Sequence, residues 1–222
     1  MLPTLYSLQH CPYAMRARMG LLMAQQQVML RAVTTKNKPE EMLAVSPKGT
    51  IPVLVLHNSS SDQESIVIDE SLDIMIWALQ QNDPEDLLHK DKPSDFPAMV
   101  DLIQRNDKEF KPQLEIYKKA KRFHLDTEIK ERQKCEVFIT ELEQRLSSGY
   151  FIGQKEPSLI DYALLPFVRQ FSRVNRPWFI QAPYPNLRTW LNGHLQSRLY
   201  AKAMAKFPLW LDSHEECLFG EG

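Results

Sequence analysis

Disulfide pairing cannot hold this chain together. Its 222 residues include three cysteines, Cys11, Cys135 and Cys217, widely spaced and odd in number. That is no disulfide framework, and it fits a reducing compartment such as the cytoplasm. No apolar stretch approaches the length needed to span a bilayer, so no membrane partner is expected. The first residues lack the charged-then-apolar layout of a secretory leader. The net charge is −1 and no basic cluster carries interleaved aromatics, so no nucleic-acid partner is expected. No two histidines or cysteines show zinc-site spacing, so no metal is expected, and no phosphate-binding glycine loop exists.

What is present divides into two patterns. In the first part, strand and helix signals alternate. Leu2 to Leu8 reads as a strand. From Ala14, the apolar residues Met15, Met19, Leu22 and Met23 mark one helical face. Val28 to Val33 is a second strand, Lys38 to Ala44 a short helix, Ile51 to Leu56 a third strand and Ile66 to Ile68 a fourth. The polar Asn58 to Asp62 segment reads as the turn between the last two. A helix with Leu72, Met75, Ile76 and Leu79 on one face follows. The order is β-α-β-α-β-β-α over residues 1–82, with a parallel first unit and an antiparallel final hairpin.

Residues 83–94 form a polar linker punctuated by Pro84 and Pro93. Strand patterns then nearly vanish, and 95–222 reads as an all-α domain. Helices are expected from about Asp95 to Arg122, from Thr127 to Leu146, from Ser158 past Phe171, and near Leu187–Leu195 and Leu199–Ala205. Cys135, Phe138, Ile139, Leu142 and Leu146 share one apolar face. Ser158 and Asp161 resemble a capping box, with Asp in place of the usual Glu or Gln. Pro166 is expected to kink its helix.

Cys11 is the first candidate for chemistry. It stands where a strand pattern ends, and Pro12 suits the first position of a helix. A thiol at a helix start faces unpaired N–H groups and the positive end of the dipole, which favours the reactive thiolate. Ala14 occupies the place where a dithiol enzyme carries its second cysteine. An internal disulfide cannot close there, so any redox cycle must borrow a thiol from solution. Cys135 reads as core, and nothing near Cys217 activates it.

Two further segments carry alternatives. In Ser46-Pro-Lys-Gly-Thr-Ile-Pro52, Pro52 either merely opens a strand or sits after a cis bond that turns the Ile51 backbone toward an extended ligand. Asp69, Glu70 and Ser71 either cap a helix or hold an amino-acid-like group. Tyr6 and Ser7 offer hydroxyls on the first strand, a second choice behind Cys11.

These pieces, in order, resemble the glutathione S-transferase superfamily and its cysteine-type members, the omega class and bacterial glutaredoxin-2-like proteins. The matching residues are Cys11-Pro-Tyr-Ala14 with Arg16 and Arg18, Lys36-Asn-Lys-Pro-Glu40, Pro47 to Leu54, Asp69-Glu-Ser71, Pro157 to Ala163 and Pro166 to Phe171. The resemblance implies a thioredoxin-like N-terminal domain that binds glutathione as co-substrate, and a helical domain that shapes a second-substrate pocket near Phe110 and Tyr117. It implies Cys11 as nucleophile, Tyr13 beside it, Lys38 at the glycyl carboxylate, Ile51 and cis-Pro52 at the cysteinyl moiety, and Glu70 and Ser71 at the γ-glutamyl end. The expected activity is thiol transfer through a mixed disulfide with glutathione, acting on a small disulfide or electrophile. Conjugation of glutathione to electrophiles and a non-enzymatic interaction role are the alternatives. The resemblance leaves monomer and homodimer open.

Overall fold

The computed structural model describes residues 1–57, 65–149 and 155–221. The expected Asn58–Asp62 turn lies outside them. Among the described residues, no helix is long and apolar enough to cross a membrane. The chain divides into two units, Met1–Glu85 with Arg198–Gly222, and Asp86–Ser197.

The first unit contains β1 (Thr4–Ser7), α1 (Pro12–Met23), β2 (Val28–Ala32), α2 (Glu40–Val45), β3 (Val53–Leu56), β4 (Ile66–Ile68) and α3 (Ser71–Gln81), the order expected from the sequence. From the tail it adds α10 (Arg198–Ala203), α11 (Trp210–Ser213) and β5 (Cys217–Phe219). The sheet order is β4-β3-β1-β2-β5. β1 runs parallel to β2, with Leu5 opposite Leu30, and antiparallel to β3, with Leu5 opposite Leu54. β4 pairs antiparallel with β3, as expected. Leu5, Leu30 and Leu54 are buried across the centre of the sheet. Burying such side chains stabilises by about 1.5–3 kcal/mol each.

α1 and α3 pack closely, and Gly20 makes this possible. A β-carbon there would stand 2.6 Å from Met75 Cγ and 2.8 Å from Met75 Cα. Met75 belongs to α3, so any larger residue at position 20 would force the helices apart.

The tail departs from the sequence expectation that 95–222 is all-helical. Phe219 pairs with Val28 and Cys217 with Leu30, so β5 closes the free edge of β2. An unpaired edge leaves its N–H and C=O groups open, and β5 answers them. Gly220 has φ +102°, and a β-carbon there would overlap the Gln26 carbonyl oxygen. Only glycine fits this approach.

The second unit contains α4 (Asp95–Arg105), α5 (Lys111–Arg122), α6 (Glu128–Leu146), α7 (Leu159–Val174), α8 (Arg176–Gln181) and α9 (Pro185–Leu195). Asn106–Phe110 is a π-helical turn between α4 and α5. The sequence predicts one helix across this region. Pro112 has no N–H to donate backward, which favours the wider turn just before it. Residues 86–94, expected as linker, are partly built in: Leu87 and Leu88 are buried, and the Leu159 N–H donates to the Leu87 carbonyl at 3.0 Å. α7 continues through Pro166 as one helix.

The expected apolar faces of α6 and α7 are buried. Phe110 stacks on Phe138 with ring centres 5.0 Å apart, and Phe171 packs against Phe110, Tyr117 and Phe179 at 6.0 Å each. Phe110 and Tyr117 therefore form core. Their rings are taken up by packing with α6 and α7.

Candidate active site

β1 ends at Ser7, and a tight turn returns the chain into α1. The Cys11 N–H donates to the Leu8 carbonyl at 3.2 Å. Cys11 is the N-cap of α1, with extended φ −71° and ψ 125°, and its carbonyl accepts the first helical hydrogen bond from Met15 at 2.9 Å. No side chain caps this helix, and Pro12 stands at its first position. The half-buried Cys11 therefore stands at the N-terminal end of α1, where the helix dipole is positive. An N-cap of Ser, Thr, Asp or Asn would have given the first N–H groups of the helix an oxygen. Here the N-cap side chain makes no such bond, and its thiol is turned toward Ile51.

The Cys11 Sγ lies 3.8 Å from the Ile51 carbonyl oxygen. The Ile51–Pro52 bond is cis, as expected. Strand β3 begins at Val53 rather than Ile51, since Pro52 has no N–H for the ladder. Ile51 is half-buried and stands at the approach to the sulfur.

Arg16 is fully buried on α1, and its Nη1 donates to Ser71 Oγ at 3.3 Å. Its guanidinium carbon sits 5.7 Å from the centre of the Tyr13 ring. Ser71 is the first residue of α3 and is buried, while its N-cap, Glu70, is exposed. The Glu70 carboxylate is paired with Lys48, which also lies 3.4 Å from Asp69. The hydrogen bond to Glu70 raises the Lys48 ammonium above its ordinary value. Ser46 Oγ donates to the other Asp69 oxygen at 3.0 Å. Lys38 Nζ reaches Gly49, 3.6 Å from where a β-carbon would stand. Cys11, Tyr13, Ile51, Pro52, Glu70, Ser71 and Lys38 all belong to the first unit. Ser71 reaches the Cys11 helix through Arg16, and Lys38 reaches the segment leading to Ile51.

Sequence reasoning missed Lys48 and the role of Arg18. Arg18 is buried, and its guanidinium ties the strand-to-helix turn to α10. Nη1 donates to Ser7 Oγ at 2.5 Å and to the Leu8 carbonyl at 3.2 Å. Nη2 donates to the Gln9 carbonyl at 2.6 Å, and Nε to the Ala203 carbonyl at 2.7 Å. Burial lowers its pKa to about 10, against the opposing influence of Cys11 and Tyr200. The signal available in sequence was the placement of arginines at two positions of an otherwise apolar helix.

The hydroxyl alternatives are structurally occupied. Ser7 Oγ accepts from Arg18. Tyr6 OH accepts from Arg31 Nη1 at 2.9 Å, and burial raises its pKa. Two other thiols are present, Cys135 buried and Cys217 half-buried. Burial, then Glu131 and Glu136, push Cys135 up to about 12. Burial and Glu215 raise Cys217. Among the described residues, no group of three or more His, Cys, Asp or Glu could hold a metal ion.

A β-α-β-α-β-β-α unit with a cysteine at the first helix start, facing the residue before a cis-proline, is a thioredoxin-like domain, here joined to a helical unit. The family model for the glutathione S-transferase N-terminal domain matches residues 5–100, and that for the C-terminal domain matches 131–193. The chain belongs to the glutathione S-transferase family and is omega-like. It is 25% identical over 224 residues to mouse glutathione S-transferase omega-1, covering 97% of this chain and 89% of that one. Rat omega-1 is 28% identical over 189 residues, covering 84% and 73%. Among solved structures, glutathione transferase Omega 3C from Trametes versicolor superposes with a TM-score of 0.76 at 19% identity, covering 95% of this chain and 92% of that one. A family member from Pseudomonas fluorescens, solved with two glutathione bound, gives 0.76 at 14% identity, covering 91% and 92%.

Proposed function

We propose that the protein is a glutathione-dependent thiol transferase with Cys11 as nucleophile. The observation that carries this reading is Cys11 as the N-cap residue of α1, with its thiol 3.8 Å from the carbonyl of Ile51, the residue before the cis-proline. The omega-type relatives support glutathione as co-substrate.

The residues fit glutathione. Arg16 donates into Ser71 Oγ, so the hydroxyl proton remains for a ligand acceptor. The α-carboxylate of the γ-glutamyl end takes that proton and the N–H groups at the start of α3. The Glu70 carboxylate, oriented by Lys48, takes the ammonium. The Ile51 backbone pairs with the cysteinyl unit as an added strand would, and Lys38 meets the glycyl carboxylate. Tyr13 lines the site beside the sulfur.

The Cys11 thiolate attacks the glutathionyl sulfur of a mixed disulfide. A Cys11–glutathione bond forms, the substrate S–S bond breaks, and the substrate leaves as a thiolate that takes a proton from water. A second glutathione thiolate then attacks the glutathionyl sulfur on Cys11. Oxidised glutathione leaves and the Cys11 thiolate returns. The same sulfur, at the N-cap of α1, is the attacker in one half and the leaving group in the other. Such a cycle needs a reducing pool, so the protein works in the cytoplasm.

Intact-mass analysis after incubation with oxidised glutathione tests the reading. One added glutathione, mapped to Cys11 and absent in Cys11→Ser, is expected. An adduct only at Cys217, or none, sinks it. Conjugation of glutathione to an electrophile that survives in Cys11→Ser would assign the protein to conjugation instead.

A further inference from the structure

The short helix α2 has little of its own to hold it in place. Met42 is its one buried residue. That side chain packs with Tyr6, Val33, Val53 and Val55, and Ile51 leans on the same cluster. Leu43 and Val45 are exposed. A helix of this length gains little from its internal hydrogen bonds, so its position depends on what grips it from outside.

The tail supplies a grip. Trp210 opens α11, and its Nε1–H donates to Glu41 Oε1 at 2.6 Å, in the first turn of α2. The Trp210 ring also covers Arg31 of β2, with the guanidinium carbon 4.0 Å from the ring centre. The same guanidinium lies 5.6 Å from the centre of the Tyr6 ring and donates to Tyr6 OH at 2.9 Å. Arg31 Nη1 is 3.7 Å from Glu41 Oε1. One carboxylate oxygen thus meets both the indole N–H and the guanidinium, and joins α11, β2 and α2. Burial pushes the Glu41 carboxyl up, but its own N–H, Trp210, Arg31 and His214 outweigh burial and hold it below its ordinary value. Only 22% of the Arg31 side chain is exposed, and a cation against an indole face attracts more strongly when partly dry.

Lys38 stands three residues before Glu41. Pro39 lies between them as the N-cap of α2, and its ring fixes one backbone angle of that link. A displacement of α2 therefore carries Lys38 with it.

We infer that Trp210 is a positioning residue for glutathione: it fixes α2 from the tail and so holds Lys38 where the glycyl carboxylate arrives. This rests on the role given to Lys38 in the proposed function. Trp210 acts through Glu41 and α2, without touching the ligand, and its influence is confined to the glycyl end.

Titration calorimetry on the full chain with reduced glutathione, and with γ-glutamylcysteine, which lacks the glycine, tests this. Trp210→Ala should weaken glutathione binding about fivefold and leave γ-glutamylcysteine within about twofold. Turnover should show the same split, with KM for glutathione up about fivefold and kcat within about twofold. If Trp210→Ala lowers the melting temperature, Glu41→Ala replaces it. That change cuts the tether from the exposed side of α2 and leaves Trp210 on Arg31, so glutathione should weaken about threefold with the dipeptide unmoved. Equal weakening of both peptides, or variants that bind glutathione as tightly as the unaltered chain, would overturn the inference and leave the glutathione site standing. No glutathione binding by the unaltered chain would overturn both.

Discussion

At the start of α7, the Ser158 N–H and hydroxyl both reach the Asp161 carboxylate, at 2.9 and 3.1 Å, and Trp190 Nε1 donates to its other oxygen at 2.8 Å. At the start of α1, the corresponding place is held by a cysteine, the next residue is proline, and no side chain reaches back. The first arrangement closes a helix end inside a core. The second places a thiol at the helix start with no cap hydrogen bond from its own side chain. A hydroxyl or carboxylate cap contributes about 1 kcal/mol, so α1 forgoes stability at the position where chemistry is proposed. The support for α1 comes instead from behind, through Arg16 and Arg18.

Exchanging one atom at the α1 start should have the largest effect. Cys11→Ser supplies a better cap and removes the nucleophile. Thiol-transfer kcat/KM should fall by about a thousandfold or more, while thermal stability holds or rises by about 1 kcal/mol. A loss of stability with activity kept would erase the contrast between the two helix starts.

Arg18→Met attacks the support rather than the sulfur. It leaves the Ser7 hydroxyl and the Leu8, Gln9 and Ala203 carbonyls without their donor. Stability measured by urea unfolding should drop by about 3 kcal/mol. Arg18→Lys keeps the charge without the fork and should lower kcat/KM about tenfold, with a smaller stability change.

The α7 start can be tested through pH. Burial pushes Asp161 up to about 6, against the hydrogen bonds from Ser158 and Trp190. Burial holds His194 down to about 4, and its ring lies 4.9 Å from Trp190. Between pH 4 and 6 the folded chain keeps the Asp161 proton that the unfolded chain releases, so this group's stabilisation is lost as pH rises. In the same window the unfolded chain protonates His194 and the folded chain does not, so that stabilisation is lost as pH falls. The slopes oppose each other. His194→Phe should leave stability falling by about 2–3 kcal/mol from pH 4 to 6, and Asp161→Asn should leave it rising by a similar amount. Melting curves across that range read both, and parallel slopes in the two variants would contradict the assignment.

The smaller effects separate the cysteines and the surface pair. Cys135→Ala should reduce stability by about 1 kcal/mol and leave activity unchanged, because that thiol is packed on the α6 face. Lys48→Ala removes an exposed ion pair and should change stability by less than about 1 kcal/mol. It leaves Glu70 without the partner that orients it, so the KM for glutathione should rise about twofold.

Most of the first unit was legible in the sequence because its signals are local. Period-two and period-3.6 patterns gave the element order, and Pro12 and Pro52 marked the two turns that face each other. The capping pair at Ser158 and Asp161 was legible for the same reason. β5 was not, since three residues carry no period and their pairing with β2 spans almost the whole chain. The π-helical turn was hidden because its residues fit an ordinary helical face. Lys48 was missed because only the fold brings it to Glu70. Arg18 was missed because a buried arginine breaks the rule that polar residues lie outside, and its acceptors are backbone atoms with no identity in the sequence.

Arg18 grips Ala203, and β5 closes the edge of β2 with residues that follow the helical unit. On the ribosome, residues 1–85 emerge first but lack that edge and that anchor. The nascent first unit must wait, incomplete, while the whole helical region is synthesised. The thiol is set in its finished surroundings only when the last two dozen residues arrive, so a prematurely terminated product would carry the cysteine without its final support.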